Sequence, residues 1–167
     1  MVRTGYRQLI VMRHAKTEQV ASSDRVRQLT ARGQRDARAA GRWLRDHDLV
    51  PDVVLTSPAV RARQTTEQLG STLGMDPQVV EVADLYGASP GEVVEIVGEH
   101  GGTATTVLVV GHNPTMEDLA HSLQRDPEGS WAPHLPTAGI AVLRVSGDWT
   151  ELAEGTADLT DWQVPRD

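Results

Sequence analysis

Two histidines and two arginines stand where apolar runs break off, and no other residues in the chain are so well suited to chemistry. "LIVM" (9–12) ends in Arg13-His14. "VVL" (53–55) ends in Thr56-Ser57-Pro58, with Arg61 and Arg63 one turn further on. "VLVV" (107–110) ends in Gly111-His112-Asn113-Pro114. None of these ends carries a carboxylate. Arginine forks match the oxygens of phosphate or carboxylate, and a histidine with its ordinary pKa of about 6.5 is neutral, hence nucleophilic, near pH 7. The group therefore reads as an anion site. Taken singly, each histidine has a simpler account as a hydrogen-bonded structural residue, and each arginine as part of a solvated face. The repetition at three strand ends favours the site.

Those ends meet only if the strands are parallel neighbours, because open α/β sheets bind ligands beyond the carboxyl edges of their strands. The pattern along the chain is consistent with this. Residues 8–13, 51–58, 78–82 and 105–111 read as strands, and 105–111 is the clearest buried one. Helices are expected between them. The first is capped by Thr30 and runs to about Asp48, with Ala37, Ala40, Leu44 and His47 as its inner stripe. The second covers 59–73 and is closed by Gly74. The third starts at Pro90 and ends near His100, and the fourth spans Pro114 to Leu123. Residues 138–145 and 149–154 read as a hairpin around Ser146-Gly147-Asp148, and 124–137 as the longest loop. This alternation is that of an α/β fold, with a single domain over 1–167.

Bulk properties narrow the function. A length of 167 residues suits one sizeable core, built on Val, Leu, Ile and Ala because Phe is absent. There is no cysteine, which removes disulfides, thiolate chemistry and Cys-based zinc sites. No apolar run approaches the roughly 20 residues that span a bilayer, and "MVRTGYRQ" lacks the apolar stretch of a signal peptide. A cytoplasmic location and no membrane partner are expected. Net charge is -7, which argues against nucleic acid as a partner. The charge is uneven: residues 1–63 carry 13 Arg or Lys against 6 Asp or Glu, and the remainder 3 against 17. The basic half can still hold a local anion site. Its arginine row, Arg32, Arg35, Arg38, Arg42 and Arg45, reads as a solvated helix face, with a docking surface for an acidic partner as the alternative. His47, His100, His121 and His134 show no metal-ligand spacing.

Five segments, in order from residue 9 to 143, resemble the histidine phosphatase (phosphoglycerate mutase-like) superfamily, and within it the SixA-like phosphohistidine phosphatases. "VMRHAKTE" is similar to the family's Arg-His-Gly signature, with Ala15 in the glycine's place. "VRQLTARGQRDA" resembles its Leu-Thr-x-x-Gly segment, and "LTSPAVRARQT" its Ser-Pro-x-x-Arg-x-x-Gln-Thr stretch. "VLVVGHNP" resembles the strand of the second histidine, and "LPTAGIAVL" the late strand. The resemblance implies a mostly parallel central sheet flanked by helices on both faces, with no metal or other cofactor. It implies His14 as the nucleophile that takes the phosphoryl group, and Arg13, Arg61 and His112 as the groups that grip its oxygens. Arg27 is implied at the pocket rim, with a structural ion pair as the alternative, and Asn113 is a further candidate for substrate binding.

The chain departs from the pattern at the general acid. Many relatives carry a glutamate within an inserted segment, and here that stretch is short. Asp84 is the closest positional candidate, with Glu92 behind it; a turn-capping or solubilising role is the alternative. SixA-like members generally lack a clear acid, and this favours a phosphorylated protein, carrying phosphohistidine, over a small phosphoester. The competing readings are a general phosphatase for small phosphate esters and a non-catalytic phosphoprotein-binding module. A mutase is disfavoured by the lack of sequence for enclosing walls. The role of Lys16 is left open.

Overall fold

Leu9, Ile10, Val11 and Met12 are all fully buried, and they divide between two cores as strand alternation requires. They belong to β1 (Tyr6–Arg13), the first strand in a computed structural model that describes residues 6–126 and 134–167. Leu9 and Val11 face one core, while Ile10 and Met12 face the other.

The remaining elements follow in chain order. They are α1 (Ala31–Asp46), β2 (Val53–Thr56), α2 (Val60–Gly70), β3 (Gln78–Glu81), α3 (Pro90–His100), β4 (Thr106–Gly111), α4 (Thr115–Ser122), β5 (Ile140–Ser146) and β6 (Ala157–Gln163). The strands form one sheet in the order β3-β2-β4-β1-β5-β6. The ladders β3–β2, β2–β4 and β4–β1 are parallel, whereas β1–β5 and β5–β6 are antiparallel. Helices α1 and α2 cover the Ile10–Met12 face through Ala37, Ala40, Leu44, Ala62 and Leu69. Helices α3 and α4 cover the other face through Val93, Ile96, Val97, Met116, Leu119 and Ala120. The expected α/β architecture, mostly parallel with helices on both faces, is present. No helix among the described residues is long and apolar enough to cross a membrane.

Local chemistry sets the helix starts. Thr30 Oγ1 accepts from the Gly33 N–H at 3.0 Å and caps α1. Ser89 and Glu92 form a reciprocal capping box at the start of α3, with Pro90 in the first turn. The second helix ends at Gly70, before the expected 73, and Gly74 (φ +79°) makes the turn beyond it.

Two expectations need correction. Residues 149–154 are not a strand. Trp149–Glu151 is a short 3-10 turn, and the partner of β5 is β6, which begins after Gly155 (φ +73°). Trp149 and Leu152 are both buried, belong to the same core and are three residues apart, a spacing that puts them on one side of a helical turn but on opposite faces of a strand. Trp149 packs against Gly101 and donates its Nε1–H to the Ala104 carbonyl at 2.8 Å. Trp131 lies outside the described residues. The second correction is His47, which is exposed rather than on the inner stripe of α1. It sits one residue past the helix and stacks on Trp43 with ring centroids 4.3 Å apart.

Candidate active site

The sheet order makes β2, β4 and β1 neighbours, so their three carboxyl ends meet. Arg13 pairs in register with Gly111, and Thr56 with Val110. The next residues along, His14, His112 and Ser57, therefore share one edge. A cavity of about 590 Å³ opens there, lined by Arg13, His14, Arg61 and His112 and also by Arg27 and Asn113. Lys16 lines it as well. A larger cavity, about 810 Å³, lies between α2 and β3 and includes Arg63, but none of the candidate site residues lines it.

His14 is buried, and its backbone N–H donates to the Gly111 carbonyl at 3.0 Å. Its Nδ1 lies 2.8 Å from the Ala15 carbonyl oxygen. A carbonyl only accepts, so Nδ1 carries the proton and Nε2 carries the lone pair. Burial lowers the His14 pKa to about 3; His112, Arg61 and Arg13 push it the same way, against the bond to Ala15. His112 is lowered to about 4, first by burial and then by Arg61. Both rings are neutral at pH 7, with centroids 5.4 Å apart.

Several donors at this edge lack protein partners. Arg13 Nε, Arg61 Nε and His112 Nδ1 are buried and make no hydrogen bond among the described residues. A buried unsatisfied polar group costs about 1–3 kcal/mol, so three around one cavity mark a site made for a ligand. Other atoms of these residues are anchored. Arg13 Nη1 donates to the Leu135 carbonyl at 3.3 Å, and His112 Nε2 is 2.8 Å from Ser57 Oγ. Asn113 braces the edge, donating from Nδ2 to the Leu135 carbonyl and accepting from Glu117 N–H.

Asp24 is a residue that sequence reasoning missed. Its carboxylate accepts from Arg61 Nη2 at 2.9 Å, from Arg27 Nη1 at 3.1 Å and from the Tyr86 hydroxyl at 2.5 Å. Its backbone carbonyl accepts from Arg61 Nη1 at 2.7 Å. The hydrogen bonds from Tyr86 and then Arg61 hold the carboxyl well below the usual carboxylate range, while the bond to Asp24 raises the Tyr86 phenol. The Asp24-x-x-Arg27 spacing, an i,i+3 ion pair beside the Leu-Thr segment, was the available signal. Arg27 lines the cavity and pairs with Asp24.

Neither Asp84 nor Glu92 lines the cavity. Asp84 is exposed in the 3-10 turn Ala83–Leu85, and the Glu92 carboxylate is taken by the Ser89 N–H in the capping box. Ala15, in the family's glycine position, is fully buried against the α1–α2 core, and its N–H donates to Thr65 Oγ1 at 2.9 Å.

Residues 9–93 match the family described as the histidine phosphatase superfamily (branch 1). Rv1276c of Mycobacterium tuberculosis is 42% identical over 93% of this chain and 100% of its own length. Phosphohistidine phosphatase SixA of Escherichia coli is 33% identical over 86% of this chain and 89% of its own. Among solved structures, one assigned as SixA from Nakamurella multipartitia aligns with TM-score 0.88 at 38% identity, covering 97% of this chain and 98% of that one. The protein histidine phosphatase SixA complexed with tungstate aligns with TM-score 0.80 at 28% identity, covering 95% and 97%. With its strand ends, its paired histidines and these matches, the chain belongs to the histidine phosphatase superfamily, branch 1, on a phosphoglycerate mutase-like fold.

Proposed function

We propose that the protein is a metal-independent protein phosphohistidine phosphatase that works through a phosphohistidine intermediate on His14. The observation that carries this reading is the Nδ1–H bond from His14 to the Ala15 carbonyl, which leaves a neutral Nε2 as the nucleophile beside unpartnered arginine and histidine nitrogens.

In the first step His14 Nε2 forms a bond to phosphorus. The bond from phosphorus to the substrate's ring nitrogen breaks, and its electron pair leaves on that nitrogen. With a proton on its other nitrogen, the substrate departs as neutral imidazole. In the second step a water oxygen attacks phosphorus and loses a proton to solvent, while the electron pair of the Nε2–P bond returns to His14. Because Nδ1 keeps its proton throughout, His14 also leaves as neutral imidazole. Charge on the three equatorial oxygens is met by Arg13, Arg61 and His112. Ser57 Oγ already accepts from the Ala59 N–H, so its own proton is available for His112 Nε2. The His112 proton then sits on Nδ1, where it can serve a phosphoryl oxygen.

The choice of substrate rests on the leaving group. Among the described residues, Asp24 and Asp36 are the carboxylates that line the cavity, and Asp24 is held ionised by Tyr86 and Arg61. An alkoxide needs a proton to leave, whereas a phosphohistidine ring takes its proton from solvent. The test is release of phosphate from a phosphohistidine protein against small phosphomonoesters. Phosphohistidine should be the faster substrate, and the reverse ranking overturns the assignment. His14→Ala should lose turnover and labelling by at least about 10³-fold, and retained labelling would remove His14 as the nucleophile.

A further inference from the structure

The candidate cavity carries more positive charge than one phosphoryl group needs. Lys16, Arg32 and Arg166 line it too, beyond the four residues expected to hold the phosphoryl group. Six cations and two carboxylates line it in all, in a chain whose net charge is -7. Asp24 is committed to Arg61 and Arg27. The other carboxylate, Asp36, is buried at 4% exposure and is shared by two loose ion pairs, 3.8 Å to Arg32 Nε and 3.6 Å to Arg166 Nε. One negative charge thus faces two guanidinium groups, and no carboxylate among the described residues pairs with Lys16. A surplus of about two positive charges remains on this rim.

The rim is anchored at Arg166 and at the backbone of Lys16. Arg166 Nη2 donates to the Thr137 carbonyl at 3.0 Å, which ties the arginine to the loop under Arg13 and His14. Lys16 stands two residues after His14, on backbone whose carbonyl accepts the Thr30 N–H at 2.9 Å. Of the other arginines in the α1 row, Arg38 bonds Gln68, Arg42 pairs with Asp167 and Arg45 with Asp46, while Arg35 is exposed. Of this row, Arg32 is the member that lines the cavity.

We propose that Lys16, Arg32 and Arg166 form a second anion subsite that takes an acidic side chain flanking the phosphohistidine of a protein substrate. This rests on the phosphohistidine reading above and names the kind of sequence around the reacting group. Charge complementarity is the argument: the surplus lies beside the phosphoryl site, in the same cavity, where a neighbouring Asp or Glu of the substrate would be carried.

The test uses the full chain and two synthetic peptides, each with a single chemically phosphorylated histidine, one with Asp/Glu flanks and one with Ser/Ala flanks. At low salt the acidic peptide should have the higher kcat/KM by on the order of tenfold, from two or three partly screened pairs. The advantage should shrink as salt shortens the Debye length. In Lys16→Gln/Arg166→Gln the ratio should fall toward one, while Arg35→Gln, an exposed α1 arginine outside the cavity, should keep it. Equal kcat/KM for the two peptides, or a ratio that survives in the double variant, overturns the subsite. If neither peptide turns over, the phosphohistidine reading fails by itself. The rim is then read by fluorescence anisotropy of the unphosphorylated peptides with tungstate present: acidic-peptide binding lost in the double variant supports it, and no binding or binding equal to the neutral peptide overturns it.

Discussion

Gly33→Ala tests whether the helix α1 start and the nucleophile loop form one rigid unit. A Cβ on Gly33 would lie 2.1 Å from the Lys16 carbonyl oxygen and 3.1 Å from Lys16 N and C, all backbone atoms. Contacts below 3.0 Å are essentially never made by a real Cβ, so relief requires a shift of at least about 0.9 Å. Either α1 retreats or the segment after His14 moves. In an open helical site Gly→Ala gains up to about 1 kcal/mol, and overpacking costs about 1–3 kcal/mol. The net is a loss of about 1–2 kcal/mol, or roughly 2–8 °C in Tm for a chain of this size. A displacement of about 1 Å at a reacting group costs on the order of 10²-fold in rate, so kcat/KM should fall by more than the stability loss explains. Gly91→Ala is the control: Gly91 is on α3 and a Cβ there meets nothing within 4 Å. It should keep Tm or raise it, with full activity. Thermal unfolding and phosphatase kinetics on both variants decide the matter. If Gly33→Ala behaves like Gly91→Ala, the rigid-unit argument is refuted.

Acid should destabilise the fold already between pH 7 and 5. His14 has its pKa lowered to about 3, so below about 6.5 the unfolded chain binds a proton that the folded chain refuses, and stability falls as pH drops toward 3. The His14 share is about 2 kcal/mol at pH 5; His112, lowered to about 4, acts in the same sense. The Tm drop between pH 7 and 5 should be smaller in His14→Gln than in the parent, and equal drops would refute it. Asp24 lies outside this window, since its stabilising charge is lost only as pH falls below the usual carboxylate range. Asp24→Asn should tighten tungstate binding by roughly threefold, because a negative charge beside the oxyanion is removed, and lower kcat because Arg61 loses an anchor; weaker tungstate binding would count against this. Glu92→Ala should cost about 0.5–1 kcal/mol of stability through the lost capping box and leave kcat alone, whereas a kcat loss above tenfold would return Glu92 to the chemistry.

The sequence made some features legible and hid others for physical reasons. "LIVM" followed by Arg-His marked both β1 and a polar strand end, because a strand buried on both faces must be continuously apolar and its exit need not be. That β1, β4 and β2 lie side by side is a matter of topology, and no local pattern encodes it. Residues 149–154 were misread because the turn Ser146-Gly147-Asp148 asks for a second hairpin strand directly after it, while the apolar-polar-polar-apolar spacing of Trp149 and Leu152 was the contrary signal. Asp24 and Asp36 offered only their local spacings to Arg27 and Arg32, because their contacts with Arg61 and Arg166 cross a long sequence separation. The unpartnered nitrogens were beyond any sequence pattern, since they are defined by what surrounds them in space.

Ala15 puts a methyl group into the α1–α2 core one residue after His14, and the two amide protons there are held by the Gly111 carbonyl and Thr65 Oγ1. The nucleophile loop is thus stitched into the hydrophobic interior and cannot breathe on its own. Its amides belong with the slowest-exchanging class, released only when the whole core opens. Heat inactivation and global melting should then be a single event, and no partly unfolded form of the protein retains a working site.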